Sequence, residues 1–167
     1  GAVISVLYIF DRARLAYPEY QEHFSAILKY LVRAEERMNE VSSIPYGIAL
    51  LLTIITFPKV VALCAICIIA FGDPASAAVG IKWGKHELVP NRTAEGSLAF
   101  FVVCLAAIVI NFSINTNIEP SRIWLLAFIS ATICAGLEMI PLRVDDNLTI
   151  PLFSATTTWV VAALMGI

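Results

Sequence analysis

The sequence predicts an all-α fold, a polytopic transmembrane helical bundle with an interfacial amphipathic helix and cytoplasmic polar loops. Three observations carry this expectation. Of 167 residues, 59% are hydrophobic and 14% charged, whereas soluble domains run at about 45 to 50% apolar and about 25% charged. Mean hydropathy is +0.83. The apolar residues also gather in runs, at 44–57, 60–71, 98–112, 123–142 and 150–167, instead of recurring at helical or strand spacing, as segments do that face lipid as well as protein. A single integral membrane domain over residues 1–167 is expected, with spans near 1–10, 44–57, 59–71, 97–112, 122–142 and 150–167.

The chain begins at Gly1 inside the apolar stretch Ala2 to Phe10, without an initiator Met or the charged start of a signal peptide, and reads as a piece lacking preceding residues. Residues 11–43 are more polar. Phe24, Ile27, Leu28, Leu31 and Met38 lie opposite Glu22, Lys29, Arg33, Glu36 and Glu40, the pattern of a helix lying on the membrane surface. Arg12, Arg14, Lys29, Arg33 and Arg37 are five of the eleven basic residues, so the positive-inside tendency puts this stretch in the cytoplasm. Asp11, Arg12 and Arg14 read as interfacial anchors.

Lys82, Lys85 and Arg92 put the polar stretch Gly72 to Gly96 on the same side. Two loops on one side are joined by an even number of crossings. Residues 44–70 therefore divide at Phe57-Pro58-Lys59 into a hairpin of short helices. One long helix would instead carry Lys59 into mid-bilayer at about 2.5 to 3.5 kcal/mol. The chain then crosses outward from Ser97, turns in the nearly uncharged loop from Ser113 to Ser121, and returns from Ile123 to Ile140. Crossing arithmetic so brings Asp73 and the pair Asp145-Asp146, distant in sequence, to one face. The last run is expected to start with Pro151 in its first turn.

Net charge is -2, and no Lys/Arg stripe alternates with aromatics, which argues against nucleic acid as a partner. Cys64, Cys67, Cys104 and Cys134 all lie within apolar runs and read as small buried residues. His23 and His86 show neither metal-ligand spacing nor a catalytic triad pattern.

Three polar islands are left for chemistry. The first runs from Gly72-Asp73-Pro74 through Gly80 to Lys82-Trp83-Gly84-Lys85. Its glycines let backbone approach a ligand closely, exposed N–H groups of a helix start or nest attract phosphate, and the lysines add positive charge. An acid beside a phosphate needs a cation between them, so Asp73 suggests a Mg²⁺ ligand, Mg²⁺ being satisfied by one or two carboxylates plus phosphate oxygens and water. The same tripeptide is also an ordinary turn and helix cap. The second island, Arg92-Thr93-Ala94-Glu95-Gly96-Ser97, either contacts phosphate or caps the next helix. The third is Arg143-Val144-Asp145-Asp146-Asn147. Its paired carboxylates between apolar runs suit a metal or a general base, with helix capping as the alternative. Glu138, inside the run before it, is an intramembrane carboxylate and hence a site candidate.

In these residues the sequence resembles the family that includes dolichol kinase, phytol kinase and CTP-dependent diacylglycerol kinase. The resemblance rests on Gly72-Asp73-Pro74-Ala75 with Gly80 and Gly84, on Thr93-Ala94-Glu95-Gly96-Ser97 and on Asp145-Asp146-Asn147-Leu148-Thr149-Ile150-Pro151, in that order. Arg12, Leu31-Val-Arg33-Ala-Glu35 and Phe57-Pro58 also look like the bacterial members. Arg92 departs from the family, where a lysine is common, and the family's N-terminal helices are not in this sequence.

The resemblance implies a lipid-alcohol kinase that moves a phosphoryl group from CTP to a membrane isoprenoid alcohol such as phytol or dolichol, or to diacylglycerol. Catalysis would fall to Asp73, Asp145, Asp146 and Glu138, with Mg²⁺ on Asp73, Asp145 and Asp146. Gly72, Gly80, Lys82, Gly84, Lys85, Arg92, Thr93, Glu95, Gly96, Ser97 and Asn147 would bind the nucleotide. The expected location is a bacterial inner membrane with the site facing the cytoplasm. A phosphatidate cytidylyltransferase, which also uses CTP with Mg²⁺, is one rival reading. A non-catalytic membrane protein or small transporter is another.

Overall fold

A computed structural model describes residues 43–90, 92–140 and 146–167. The expected first span, the amphipathic surface helix, Arg143 and Asp145 lie outside the described residues. The helices are α1 (Ser43–Thr56), α2 (Lys59–Cys67), α3 (Asp73–Trp83), α4 (Ala94–Asn115), α5 (Pro120–Glu138) and α6 (Asp146–Leu164). A π-helical turn, Ile68–Gly72, joins α2 to α3, and a short antiparallel pair, β1 (Glu87–Val89) and β2 (Arg92–Thr93), links α3 to α4. Glu87 is opposite Thr93, and Val89 is opposite Arg92.

Among the described residues, four continuous helical stretches are long and apolar enough to cross a membrane: Lys59–Trp83, Ala94–Asn115, Pro120–Glu138 and Asp146–Leu164. Pro45–Thr56 is a shorter apolar helix. The bundle is apolar on its outside as well as its inside. Ile55, Ile114 and Leu164 are 73%, 76% and 82% exposed, while Ile68, Ile108 and Leu126 are fully buried. Side chains that water would repel on the outer surface are what a helix presents to lipid, and the protein is an integral membrane protein.

The chain breaks at Phe57-Pro58, where Pro58 has an extended backbone (φ -55°, ψ 147°). Proline brings no N–H and disfavours helix in the residue before it, so α1 stops at Thr56 and a new helix starts at Lys59. The two halves touch each other little, and both pack along α6. Phe57 meets Trp159 edge to face, with ring centres 6.4 Å apart. At that same end of the bundle the Arg122 guanidinium donates to the Met165 carbonyl, tying the start of α5 to the end of α6.

Two sequence expectations change. Gly72-Asp73-Pro74 does not end a helix, because the helix runs on to Trp83. A proline inside an α-helix removes one i to i−4 hydrogen bond and crowds the preceding turn. The wider π turn over Ile68–Gly72 lets the chain pass Pro74 without stopping. The polar connection is thereby reduced to the residues between Trp83 and Ala94. Likewise α6 begins at Asp146, so Pro151 sits within the helix instead of opening it. Ser154 donates its hydroxyl to the Pro151 carbonyl at 3.2 Å.

Buried residues are contributed by every long helix: Cys64 and Ile68, Phe100, Cys104 and Ile108, Leu126 and Ala131, and Ala155. Cys64, Cys104 and Cys134 are buried and Cys67 half-buried, all with free thiols. The cysteines therefore serve as small apolar packing groups.

Candidate functional site

One buried carboxylate organises the end of the bundle where α3, α4, α5 and α6 come together. Glu138 closes α5, and its side chain is 1% exposed. Ionised carboxylates are rarely tolerated at such depth unless every oxygen is satisfied. Oε1 accepts from Ser76 Oγ at 3.1 Å and from the Arg92 guanidinium, and Oε2 accepts from Ser97 Oγ at 3.2 Å. The donors come from α3, β2 and the first turn of α4, so a single side chain fastens three separate segments to α5.

Arg92 uses its second terminal nitrogen on Asp146 Oδ2 at 2.6 Å. The guanidinium thus bridges the end of α5 to the first residue of α6, a use of its planar fork that a lysine ammonium would not reproduce. Arg92 is 24% exposed and Asp146 44% exposed at the side chain. The cluster joins two acidic side chains to one guanidinium, and its exposed edge is at Asp146.

Beside this cluster lies a cleft of about 570 Å³ between α3, the β-pair and the start of α4. Gly80, Gly84 and Gly96 form its glycine wall, and Lys85, Arg92, Thr93, Ser76 and the carboxylate of Glu87 bring its polar groups. The size falls in the ordinary range for small-molecule sites. The glycines are needed here for space. A Cβ on Gly84 would lie 2.2 Å from the Gly80 carbonyl oxygen and 2.7 Å from Thr93 Cγ2, and one on Gly96 would lie 2.9 Å from the Ser76 carbonyl oxygen. Gly80 has Thr93 Oγ1 at 3.1 Å from the place its Cβ would take.

Thr93 is the N-cap of α4 and accepts from the Gly96 N–H at 3.2 Å. Glu95 folds back over the connection: it accepts from the Lys85 and His86 N–H groups at 3.2 and 3.4 Å and pairs with His86 Nδ1 at 2.8 Å. It therefore shapes the loop that carries Lys85.

Six of the residues expected from sequence to handle phosphate line the cleft: Gly80, Gly84, Lys85, Arg92, Thr93 and Gly96. Others take different places. Lys82 lies over the Trp83 ring at 4.7 Å. Gly72 faces Phe100, whose ring would be 3.1 Å from an added Cβ, so it provides close helix packing. Ser97 is buried on Glu138. Asp73 and Asn147 occupy the first turns of α3 and α6, with Asp146 opening the latter.

Ser76, by sequence one small residue among several, is also a member of the Glu138 cluster. The only signal for it was the need of an intramembrane carboxylate for several donors. Among the described residues no three His, Cys, Asp or Glu side chains gather closely enough to enclose a metal by themselves. Oxygen donors from one or two aspartates suit Mg²⁺, which takes the rest of its shell from phosphate and water.

No protein-family model matches the chain, and no solved structure matches it. Curated proteins do. The chain is 26% identical to the CTP-dependent diacylglycerol kinase 1 of Schizosaccharomyces pombe over 90% of its own length and 74% of that protein. With the Saccharomyces cerevisiae protein of the same name, identity is 26% over 90% of this chain and 58% of the relative. It is 31% identical to a phytol kinase of Synechocystis over 56% of this chain and 41% of the relative. The chain is thus similar to lipid kinases, two of them CTP-dependent diacylglycerol kinases and one a phytol kinase.

Proposed function

We propose that this protein is a lipid-alcohol kinase that transfers the γ-phosphoryl group of CTP to the hydroxyl of a membrane lipid. The observation that carries the proposal is the contact between two unlike features. A glycine-walled cleft holding Lys85 and Arg92 abuts a satisfied Arg92–Glu138–Asp146 cluster at one end of a membrane bundle. The names of the relatives supply the donor, CTP, and the acceptor class, diacylglycerol or an isoprenoid alcohol.

In this reading the cleft takes the triphosphate against the backbone of Gly80, Gly84 and Gly96, with Lys85 and Arg92 on its charge. Mg²⁺, held by Asp73 and by Asp145 or Asp146, would neutralise charge on the phosphates. The lipid oxygen bonds to the γ-phosphorus, the bond from that phosphorus to the β-bridging oxygen breaks, and CDP leaves. A carboxylate of the cluster receives the alcohol proton; Asp146, half exposed, is better placed for this than the three-times-bonded Glu138. Positioning and charge neutralisation supply most of the catalysis in phosphoryl transfer. The basic residues of the polar stretches support a cytoplasmic orientation of the site, where CTP is available, and a bacterial inner membrane is the location this reading adopts.

Full-length protein in liposomes, given CTP labelled at the γ-phosphate, Mg²⁺ and a panel of lipid alcohols, is expected to yield labelled lipid and CDP. Pyrophosphate release with cytidylyl transfer to phosphatidate would identify a cytidylyltransferase instead. No transfer to any lipid, beside a working related kinase, overturns the proposal.

Gly84→Ala gives an independent check on the cleft. Its methyl group meets backbone, which cannot swing away, so the loop must shift at a cost of about 1 to 3 kcal/mol. The variant is expected to melt at a lower temperature and to show a raised KM for CTP with the lipid KM little altered. Wild-type CTP kinetics would remove Gly84 from the donor site.

A further inference from the structure

Glu87 lines the same cleft as Lys85 and Arg92, and nothing in the proposed reaction uses it. We infer that Glu87 reads the base of the nucleotide, accepting a hydrogen bond from the exocyclic amine of cytosine and so disfavouring uracil. The inference rests on the kinase reading and adds to it the direction in which the nucleotide lies in the cleft.

The cleft has two unlike ends. Ser76, Gly96 and Arg92 make the inner one. A Cβ on Gly96 would lie 2.9 Å from the Ser76 carbonyl oxygen, and the Ser76 and Arg92 side chains both donate to Glu138. This end therefore abuts the Glu138–Asp146 cluster. From there the lining follows α3 through Gly80 to Gly84, where the helix gives way to the loop before β1. Ser76, Gly80 and Gly84 succeed one another at one helical turn each, so the ends are about 12 Å apart along the helix axis. Ile81, Lys85 and Glu87 line the outer end.

Charge decides which end takes which part of the nucleotide. The γ-phosphoryl group must reach the acids that would hold Mg²⁺ and receive the alcohol proton, which puts it at the inner end. Glu87 is paired with Thr93, whose side chain lies against Gly80 and Gly84. Those glycines are about two to three turns along α3 from Asp73. A metal on Asp73 therefore leaves the Glu87 carboxylate unscreened, and beside the phosphates it would repel them. Beside the base it meets no charge. The base accordingly lies at the outer end, where the exposed Ile81 offers its ring an apolar surface. Lys85, two residues before Glu87, is left for the phosphate next to the sugar.

A carboxylate only accepts hydrogen bonds. Cytosine carries an amine, a donor, on the ring carbon where uracil carries a carbonyl oxygen, another acceptor. Glu87 thus gains a hydrogen bond from the first base and sets oxygen against oxygen in the second. Glu87 also has a partner within the protein, and its two oxygens offer about four lone-pair positions, enough for both.

The test uses full-length protein in liposomes with Mg²⁺ and a lipid alcohol, and compares CTP with UTP as donors. The ratio of their kcat/KM values, taken in one preparation, does not depend on how much of the protein is active. Wild type is expected to favour CTP. Glu87→Gln supplies an amide that can donate to the uracil oxygen, and it is expected to lower the preference about tenfold or more, chiefly through the two KM values. Glu119→Gln, the same change at the N-cap of α5 and so at the other end of the bundle, is expected to leave the preference as it is. A preference unchanged in Glu87→Gln, or a wild type that uses UTP as readily as CTP, overturns the inference.

Displacement of labelled CTP by unlabelled CTP or UTP reads the same preference without turnover. Discrimination that falls in Glu87→Gln, in a protein that phosphorylates no lipid, would overturn the kinase reading and leave Glu87 as the base reader. Transfer to lipid with equal displacement by both nucleotides would overturn the base reader and keep the kinase. A protein that neither retains labelled CTP nor phosphorylates a lipid overturns both.

Discussion

Glu138→Ala is expected to lower stability by about 3 to 5 kcal/mol, the range found when one member of a buried ion pair is removed. The change strands three groups at once. Arg92, 24% exposed, loses the partner that offsets its charge, and the hydroxyls of Ser76 and Ser97 lose their acceptor. Since Ser76 is on α3 and Ser97 on α4, the closure of both helices onto α5 weakens with them. Thermal unfolding in detergent measures the loss directly. Glu138→Gln keeps the shape and an oxygen for a serine, so its melting point should fall between those of wild type and Glu138→Ala. Replacing both charges, Arg92→Met with Glu138→Leu, is expected to restore only the part of the stability lost with the unpaired charge, because an apolar pair of suitable volume can stand in for a buried ion pair while Ser76 and Ser97 still lack their acceptor. It should not restore phosphoryl transfer, since Arg92 lines the glycine-walled cleft proposed to take CTP. A Glu138→Ala protein that melts like wild type would show that the cluster contributes little to closing the bundle.

Asp146→Asn is expected to leave the bundle nearly intact and to cut the rate of phosphoryl transfer by about 10² to 10⁴-fold, the range associated with loss of a positioned acid or base. Asparagine at the start of α6 remains a good helix-start residue, and the carboxylate's favourable interaction with the helix dipole amounts to only about 0.3 to 1 kcal/mol. What the amide cannot do is accept a proton or hold Arg92 through a charged oxygen at 2.6 Å. Asp73→Asn, in the first turn of α3, is expected to produce a loss of similar size. Steady-state kinetics with CTP and lipid varied in turn, beside melting curves, separate the effects. A rate near wild type in Asp146→Asn would reduce this aspartate to a helix cap with a salt bridge.

The helical, membrane-spanning character was legible because it depends on the amount and clustering of apolar residues, and no particular tertiary contact alters that. The break at Phe57-Pro58 was legible for a similar local reason, since proline's effect on the residue before it needs no distant partner. Local rules misled at two other prolines. Pro74 and Pro151 lie inside helices, where a π turn and the surrounding packing tolerate them. The roles of Glu95 and Thr93 were partly legible, because capping operates over a few residues.

The pairing of Arg92 with both Glu138 and Asp146 was beyond local inspection. Charge arithmetic brought the polar islands to one end of the bundle, yet it could not say which acid the arginine meets, nor that Ser76 and Ser97 complete Glu138's shell. Those choices depend on which turn of each helix comes level with its neighbours, and that is fixed by side-chain packing among α3, α4, α5 and α6. The residues alone were enough to name a membrane bundle with glycine-rich and acidic motifs between its apolar runs. The arrangement of those motifs into a glycine-walled cleft with an ion-pair cluster beside it required the folded chain, because helix register sets distances of a few ångströms between residues that sequence separation leaves open.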